Sequence, residues 1–184
     1  MVKATISKWV LGLFSWTVHD LYYDKVKSCI ITVAPHTSNW DFIWGILARN
    51  VFRLNARYLI KDTYFKGPLA WFFHWTGGIP VDRTKKNDLT QRLKDMLSSG
   101  KGLQIVFTPE GTRKRVDKWK TGFYWVAVDT GLPIMMHSID FKRKEFRVNG
   151  PFYPTGDWEE DKKEFERFYS DKVPGNPEGF NPVF

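Results

Sequence analysis

The stretch Pro35-His36-Thr37-Ser38-Asn39-Trp40-Asp41 places an imidazole five positions before a carboxylate. A histidine paired with a carboxylate can act as a general base, because the carboxylate fixes the ring tautomer and stabilises the imidazolium as it forms. Such a base can take the proton of an alcohol. The same residues also have a purely structural reading: Ser38 with Asp41 three residues later is a capping box at a helix start. A second stretch, Phe107-Thr108-Pro109-Glu110-Gly111-Thr112-Arg113, contains a glycine that allows unusual backbone angles. Its backbone N–H groups, the Thr112 hydroxyl and the Arg113 guanidinium can hold a phosphate, since arginine offers two parallel bonds to phosphate oxygens. The alternative here is a tight turn closed by a Glu110–Arg113 pair. Lys61 and Arg83 are each a charge at a strand end, where solvation is the common fate; together with Arg113 they can form an anion pocket.

These groups need elements to position them. Ser28 to Ala34 reads as a buried strand, and Ser38 to Arg53 as a helix with Trp40, Ile43, Trp44, Leu47 and Val51 on one face. Ala56 to Lys61 is a second strand. Pro68 suits a helix start and Gly77-Gly78 a stop. Ile79 to Arg83 is a third strand, weakened or placed at an edge by Pro80. A helix over Asn87 to Ser99 turns Leu89, Leu93, Met96 and Leu97 inward, and Leu103 to Phe107 is a fourth strand. Thr121 to Thr130 is helical and closed by Gly131. Pro133 to Ile139 and Glu145 to Val148 are late strands that can pair as a hairpin. Asp157 caps a last helix to Tyr169, with Glu160 three residues on.

Alternation of this kind implies an α/β sandwich around a central, largely parallel mixed sheet flanked by helices. Ligands of such sheets bind beyond the carboxyl ends of the strands. His36, Lys61, Asp82-Arg83 and Glu110 to Arg113 follow four different strands, so four segments aim polar groups at one edge. The expected division is an amphipathic N-terminal helix over residues 1–25, one domain over 26–172 and an irregular tail over 173–184.

The 184 residues carry a formal charge of +8 and nine tryptophans, with 42% apolar residues. That composition excludes a disordered chain. A basic surface seeks nucleic acid, phosphorylated small molecules or anionic lipid, and tryptophan inclines the choice toward the headgroup zone of a bilayer. The single Cys29 excludes a disulfide framework within the chain and reads as a buried small hydrophobe. His19, His36, His74 and His137 offer no metal-ligand spacing. Near the start, Lys3 and Lys8 precede the apolar run Trp9 to Val18, which is too short to span a bilayer, for which about 20 residues are needed. Two readings stay open: an interfacial helix with Ile6, Trp9, Val10, Leu13 and Thr17 on its apolar side, or a helix that packs on the domain.

His36-x4-Asp41 followed by Phe107-x-Pro109-Glu110-Gly111-Thr112-Arg113 resembles the paired motifs of the glycerolipid acyltransferases, among them the lysophosphatidic acid acyltransferases. Ile79-Pro80-Val81-Asp82-Arg83 is similar to the family's intermediate motif, and Leu132-Pro133-Ile134 to its fourth. The resemblance covers roughly Ser28 to Ile139 and implies a glycerol-3-phosphate acyltransferase-like fold. It also implies His36 as base, Asp41 as its orienting partner, and Glu110, Gly111, Thr112 and Arg113, with Arg83 and Lys61, around the acceptor's phosphate. The implied partners are an acyl donor, acyl-CoA or acyl-carrier protein, and a lysolipid acceptor of the 1-acylglycerol-3-phosphate type. No metal or other cofactor and no nucleic acid are implied. The expected location is cytoplasmic, peripheral on the anionic inner face of the cell membrane. The segment near Lys61, Lys61-Asp62-Thr63-Tyr64, departs from the family's usual Lys-rich stretch with Glu, which leaves other lyso-lipid acceptors open.

Two rivals come from other classes. A non-catalytic basic module that binds membrane or nucleic acid accounts for charge and tryptophan but not for the two motifs. A lipid hydrolase would use water in place of the alcohol, and the chain has no Gly-x-Ser-x-Gly nucleophile elbow.

Overall fold

The computed structural model describes residues 2–19, 26–82, 86–98 and 102–182. Its strands are β1 (Thr17–Val18), β2 (Cys29–Ala34), β3 (Ala56–Lys61), β4 (Gly78–Val81), β5 (Gln104–Phe107), β6 (Ile134–Asp140) and β7 (Glu145–Phe152). The helices are α1 (Val2–Leu13), α2 (Trp40–Val51), α3 (Ala70–Thr76), α4 (Lys86–Ser98), α5 (Gly122–Thr130) and α6 (Trp158–Tyr169). One sheet runs β1-β7-β6-β2-β5-β3-β4. Strands β6, β2, β5, β3 and β4 are mutually parallel. Strand β7 returns antiparallel to β6, and β1 pairs parallel to β7. The α/β sandwich with a largely parallel sheet is therefore the observed architecture, and the late strands are the hairpin that the spacing suggests.

Side-chain alternation along β2 explains why this strand is central. Ile30 and Ala34 point into one apolar cluster with Leu93, Leu97, Ile105, Phe123, Ile134 and Phe165, under α4, α5 and α6. Cys29 and Ile31 point to the opposite face, into a second cluster with Leu11, Ala48, Phe52, Met135 and Ile139, under α1 and α2. A strand buried on both faces is apolar at nearly every position, and each large side chain so buried contributes about 1.5–3 kcal/mol; its one polar side chain, Thr32, is hydrogen-bonded to the Tyr169 hydroxyl at 2.9 Å. Cys29 belongs to this packing: it is fully buried, and burial pushes its thiol up to about 12. Glycine closes two helices with left-handed backbone, Gly77 after α3 at φ 93° and Gly131 after α5 at φ 65°. Asp157 caps α6 as expected, accepting from the Glu160 N–H at 3.2 Å.

The N-terminal segment is shorter as a helix than residues 1–25. Helix α1 ends at Leu13, and Thr17–Val18 joins the sheet through the register Thr17↔Glu145 and Val18↔Phe146. Between them Trp16 is buried against Trp44, Phe141 and Phe146, with ring centroids 5.0–5.4 Å apart. Helix α1 packs on α2 through Ser7, whose hydroxyl accepts from Asn50 Nδ2 at 3.1 Å, and through buried Leu11. The other side of the same helix leaves Ile6, Trp9 and Leu13 exposed. The helix therefore packs on the domain through one face and presents an apolar face to the outside.

The tail has little regular structure but is tied into the domain. Residues 174–182 hold a short 3-10 turn, Pro177–Gly179, and Phe180 enters the core cluster beneath α5.

Candidate active site

Parallel pairing fixes where the two reactive loops emerge. Thr32 of β2 faces Phe107 of β5, so the chain leaves both strands at the same edge, one inter-strand step apart. His36 follows β2 by two residues and Glu110 follows β5 by three. Lys61 ends β3, on the far side of β5 from β2, roughly 10 Å from the His36 loop by strand spacing. Arg83 lies outside the described residues.

Asp41 sits in the first turn of α2, where the helix dipole favours a negative charge. Its side chain is nearly inaccessible and reaches back toward the loop. Oδ2 accepts from the Thr37 N–H at 2.7 Å and the Ser38 N–H at 2.8 Å, and it faces His36 Nδ1 at 3.3 Å. Oδ1 makes no hydrogen bond among the described residues, so all of the carboxylate's bonding falls on Oδ2. The capping and catalytic readings of Asp41 are thus compatible. The carboxylate half of the capping box forms, while the Ser38 hydroxyl accepts from Trp40 N–H at 3.1 Å, one residue short of the regular partner. The 3.3 Å separation is at the long end of the hydrogen-bond range, which is common for a catalytic pair before substrate engages. A proton held on Nδ1 toward Asp41 leaves Nε2 with its lone pair free to act as a base. The His36 side chain is 19% exposed, enough to reach a bound hydroxyl.

Glu110 is turned inward. It is 2% exposed, and its two carboxylate oxygens accept the His36 backbone N–H at 3.0 and 3.3 Å. Burial pushes its carboxyl up to about 7, against the pull of the His36 N–H bond and with the Asp41 charge adding to the rise. The resemblance assigns Glu110 to the acceptor's phosphate; in the structure its carboxylate bonds the base loop, and the rest of its loop faces outward. Gly111 is left-handed at φ 66°, Thr112 and Arg113 are exposed, and Thr112 Oγ1 accepts from the Lys114 N–H at 3.3 Å. Glu110 therefore pairs with the base loop, and Arg113 is left open to a ligand.

One cation escaped the sequence reading. The Lys120 N–H bonds the Pro109 carbonyl at 2.8 Å, closing the loop on itself, and its side chain folds back across Gly111. A methyl group on Gly111 would come within 2.8 Å of the Lys120 ammonium nitrogen. Glycine at 111 thus serves both the positive φ and the space for this lysine. The available signal was the density of charge after the motif: Arg113, Lys114, Arg115, Lys118 and Lys120 fall within eight residues. A run of that kind is easily taken for a solvated face. Among the described residues no group of three His, Cys, Asp or Glu side chains is placed to hold a metal ion.

Fold and site together define an α/β protein with a carboxylate-oriented histidine and an arginine-bearing loop at the carboxyl edge of its parallel strands. A family model described as Acyltransferase matches residues 15–140, which include both loops, and the chain belongs to that family. It is 30% identical over 138 residues to mouse 1-acyl-sn-glycerol-3-phosphate acyltransferase epsilon; the match spans 70% of this chain and 38% of that relative. Its fold matches the crystal structure of the 1-acyl-sn-glycerophosphate (LPA) acyltransferase PlsC from Thermotoga maritima with a TM-score of 0.62. That superposition covers 90% of this chain and 74% of the other, at 20% identity.

The raised Glu110 carboxyl has a consequence for stability. Its unfolded value is near 4.5, so stability should fall as pH rises from 4.5 through about 7, where the buried group is forced to ionise. The full swing is on the order of 3 kcal/mol. Glu110→Gln keeps an acceptor for the His36 N–H and removes the titration. Melting curves at pH 5 and pH 8 should show the wild type losing more stability than the variant over that interval; an equal loss in both would contradict the assignment.

Proposed function

We propose that this chain transfers a fatty acyl group from an acyl thioester, acyl-CoA or acyl-carrier protein, to the hydroxyl of a lysophospholipid of the 1-acylglycerol-3-phosphate type. The observation that carries the reading is the Asp41–His36 pair at the strand edge, joined through Glu110 to the loop that presents Arg113. His36 Nε2 takes the proton of the acceptor hydroxyl. The freed oxygen attacks the thioester carbonyl carbon, and the tetrahedral intermediate collapses by breaking the carbon–sulfur bond. The leaving thiolate receives the proton from His36, so the base returns to its starting state. Asp41 holds Nδ1 and offsets the imidazolium charge. Arg113 and Lys120 bind the acceptor's phosphate, with Lys61 and Arg83 as outer cations. Glu110 positions the His36 backbone. A His–Asp base with nearby cations suits an acceptor that carries both a hydroxyl and a phosphate, and the name of the mouse relative describes such an acceptor.

We place the reaction at the cytoplasmic surface of the cell membrane. No helix among the described residues is long and apolar enough to cross a bilayer. Ile6, Trp9 and Leu13 of α1, Trp40 and Ile43 of α2, and Trp71 and Trp75 of α3 are all exposed. These helices adjoin: the Lys3 ammonium lies 5.1 Å over the Trp75 ring, and the Phe14 and Trp44 centroids are 5.3 Å apart. Tryptophan rings beside lysines suit the headgroup zone. Trp40 lies four residues from His36, so this apolar surface borders the site.

Three outcomes are expected. His36→Ala lowers turnover by roughly 100-fold or more, the usual contribution of a general base, with an unchanged melt; Asp41→Asn is less severe. Near-wild-type turnover in His36→Ala would exclude the mechanism. Second, Arg113→Ala and Lys120→Ala each weaken use of a phosphate-bearing lysolipid by about 1.5–3 kcal/mol, read as acceptor KM, and spare a phosphate-free acceptor. Equal losses on both acceptors would remove the phosphate clamp. Third, the protein floats with liposomes containing anionic lipid, and salt weakens the association. Trp9→Ser with Trp71→Ser reduces flotation without changing the melt. Truncating α1 is unsuitable because Leu11 and Ser7 are buried. Undiminished flotation of the double variant would place the docking surface elsewhere.

A further inference from the structure

Residues 174–182 lie beyond the part of the chain that the family model matches, yet they touch both reactive loops. The Val173 carbonyl accepts from the Phe141 N–H at 2.8 Å, which starts the segment at the end of β6. Asn176 then donates its N–H to Thr37 Oγ1 at 3.0 Å, one residue from the base. Gly179 is buried, and a methyl group on it would lie 3.0 Å from the Arg113 carbonyl oxygen and 3.3 Å from both Thr37 Cβ and Cγ2. Its bare Cα is therefore wedged between the residue after His36 and the backbone of Arg113. Beyond it the chain is fastened to the arginine loop. Arg115 donates to the Phe180 carbonyl at 2.6 Å and the Trp119 indole N–H to the Asn181 carbonyl at 2.8 Å. The Asn181 side-chain amide donates to the carbonyls of Val116 and Asp117 at 3.0 and 3.2 Å. Phe180 packs on Trp119 inside the core.

We propose that this segment is a strap that sets the distance between the base loop and the arginine loop, and that Gly179 is a positioning residue for acyl transfer to a phosphate-bearing acceptor. The inference rests on the functional reading above. Two loops that emerge from neighbouring strands are held in register at their roots by the sheet, but their tips are not. Here the tips are joined twice: inside, by Glu110 accepting the His36 N–H, and outside, by the strap. A hydroxyl placed at His36 while its phosphate rests on Arg113 depends on that spacing, and misplacement on the scale of 1 Å can cost about 100-fold in rate. A methyl group at 179 has neither loop to spare: the Arg113 contact is with backbone, and the Thr37 contact is with a buried side chain.

The experiment compares a phosphate-bearing lysolipid with a phosphate-free short-chain alcohol as acceptors for one acyl-CoA, in wild type, Gly179→Ala, Asn181→Ala, and Gly179→Ala with Thr37→Ser. Wild type prefers the phosphate-bearing acceptor. Gly179→Ala and Asn181→Ala lower kcat/KM for that acceptor by about tenfold or more and change the alcohol far less. Thr37→Ser removes the methyl that faces Gly179 but keeps the hydroxyl that Asn176 bonds, so it restores part of the loss. A wild type without preference between acceptors refutes the phosphate clamp and the strap's role with it. A preferring wild type whose variants keep the same ratio refutes the strap alone. Should Gly179→Ala not fold, amide hydrogen exchange in Asn181→Ala decides: faster exchange confined to residues 36–38 and 110–117 supports the strap, and unchanged exchange there overturns it.

Discussion

The structure depends on a carboxylate buried where it has little reason to be. Glu110 loses its hydration and gains the backbone N–H of His36, from a residue 74 positions away. A buried acceptor of this kind is costly when unpaired, so the pairing fixes one loop against the other more firmly than a surface ion pair would. Asp41 does the same within its own loop, drawing the Thr37 and Ser38 N–H groups and the His36 ring to a single oxygen. Both carboxylates hold the imidazole in place, one through its ring and one through its backbone, and this leaves Glu110 turned away from the exposed, mainly cationic side of the arginine loop.

That arrangement requires the sheet as it is built. The central strand is apolar on both faces because helices cover both, and its parallel neighbour β5 brings a second loop to the same edge. The antiparallel β7 and the short β1 extend the sheet on the other side of β6, away from the reactive loops. They carry the N-terminal helix into position instead. Through Trp16, α1 is tied to the core on one side, and its opposite side adds Ile6, Trp9 and Leu13 to the apolar surface next to the site.

Much of this was legible in the residues. Strand β3 and the helices closed by Gly77 and Gly131 follow from periodicity and left-handed glycines, and Asp157 with Glu160 marks the start of α6. The spacing of His36 and Asp41 indicated both a cap and a histidine–carboxylate pair, and the Asp41 carboxylate makes both contacts. Other parts depend on contacts that no local pattern encodes. A two-residue strand such as β1 has no alternation to detect; its partner, β7, lies over 120 residues downstream. The tail looked irregular because proline and glycine dominate it, while its order comes from bonds to loops 62 to 139 residues distant. The inward turn of Glu110 is likewise invisible in its identity, since the same motif serves a solvent-facing or a buried carboxylate. Lys120 was hidden in a cationic run whose members have different fates: Arg115 bonds the tail, whereas Lys120 folds over Gly111.

The central claim is that the His36–Asp41 pair moves an acyl group to an acceptor rather than to water. Pure protein mixed with a long-chain acyl-CoA, with and without 1-acylglycerol-3-phosphate, tests it by following free thiol and identifying lipid products by mass spectrometry. The account predicts thiol release that depends on the lysolipid, with one new ester formed for each thiol. Thiol release at the same rate without acceptor, yielding free fatty acid, would identify a hydrolase, and no release under either condition would leave a binding module; both results contradict the account.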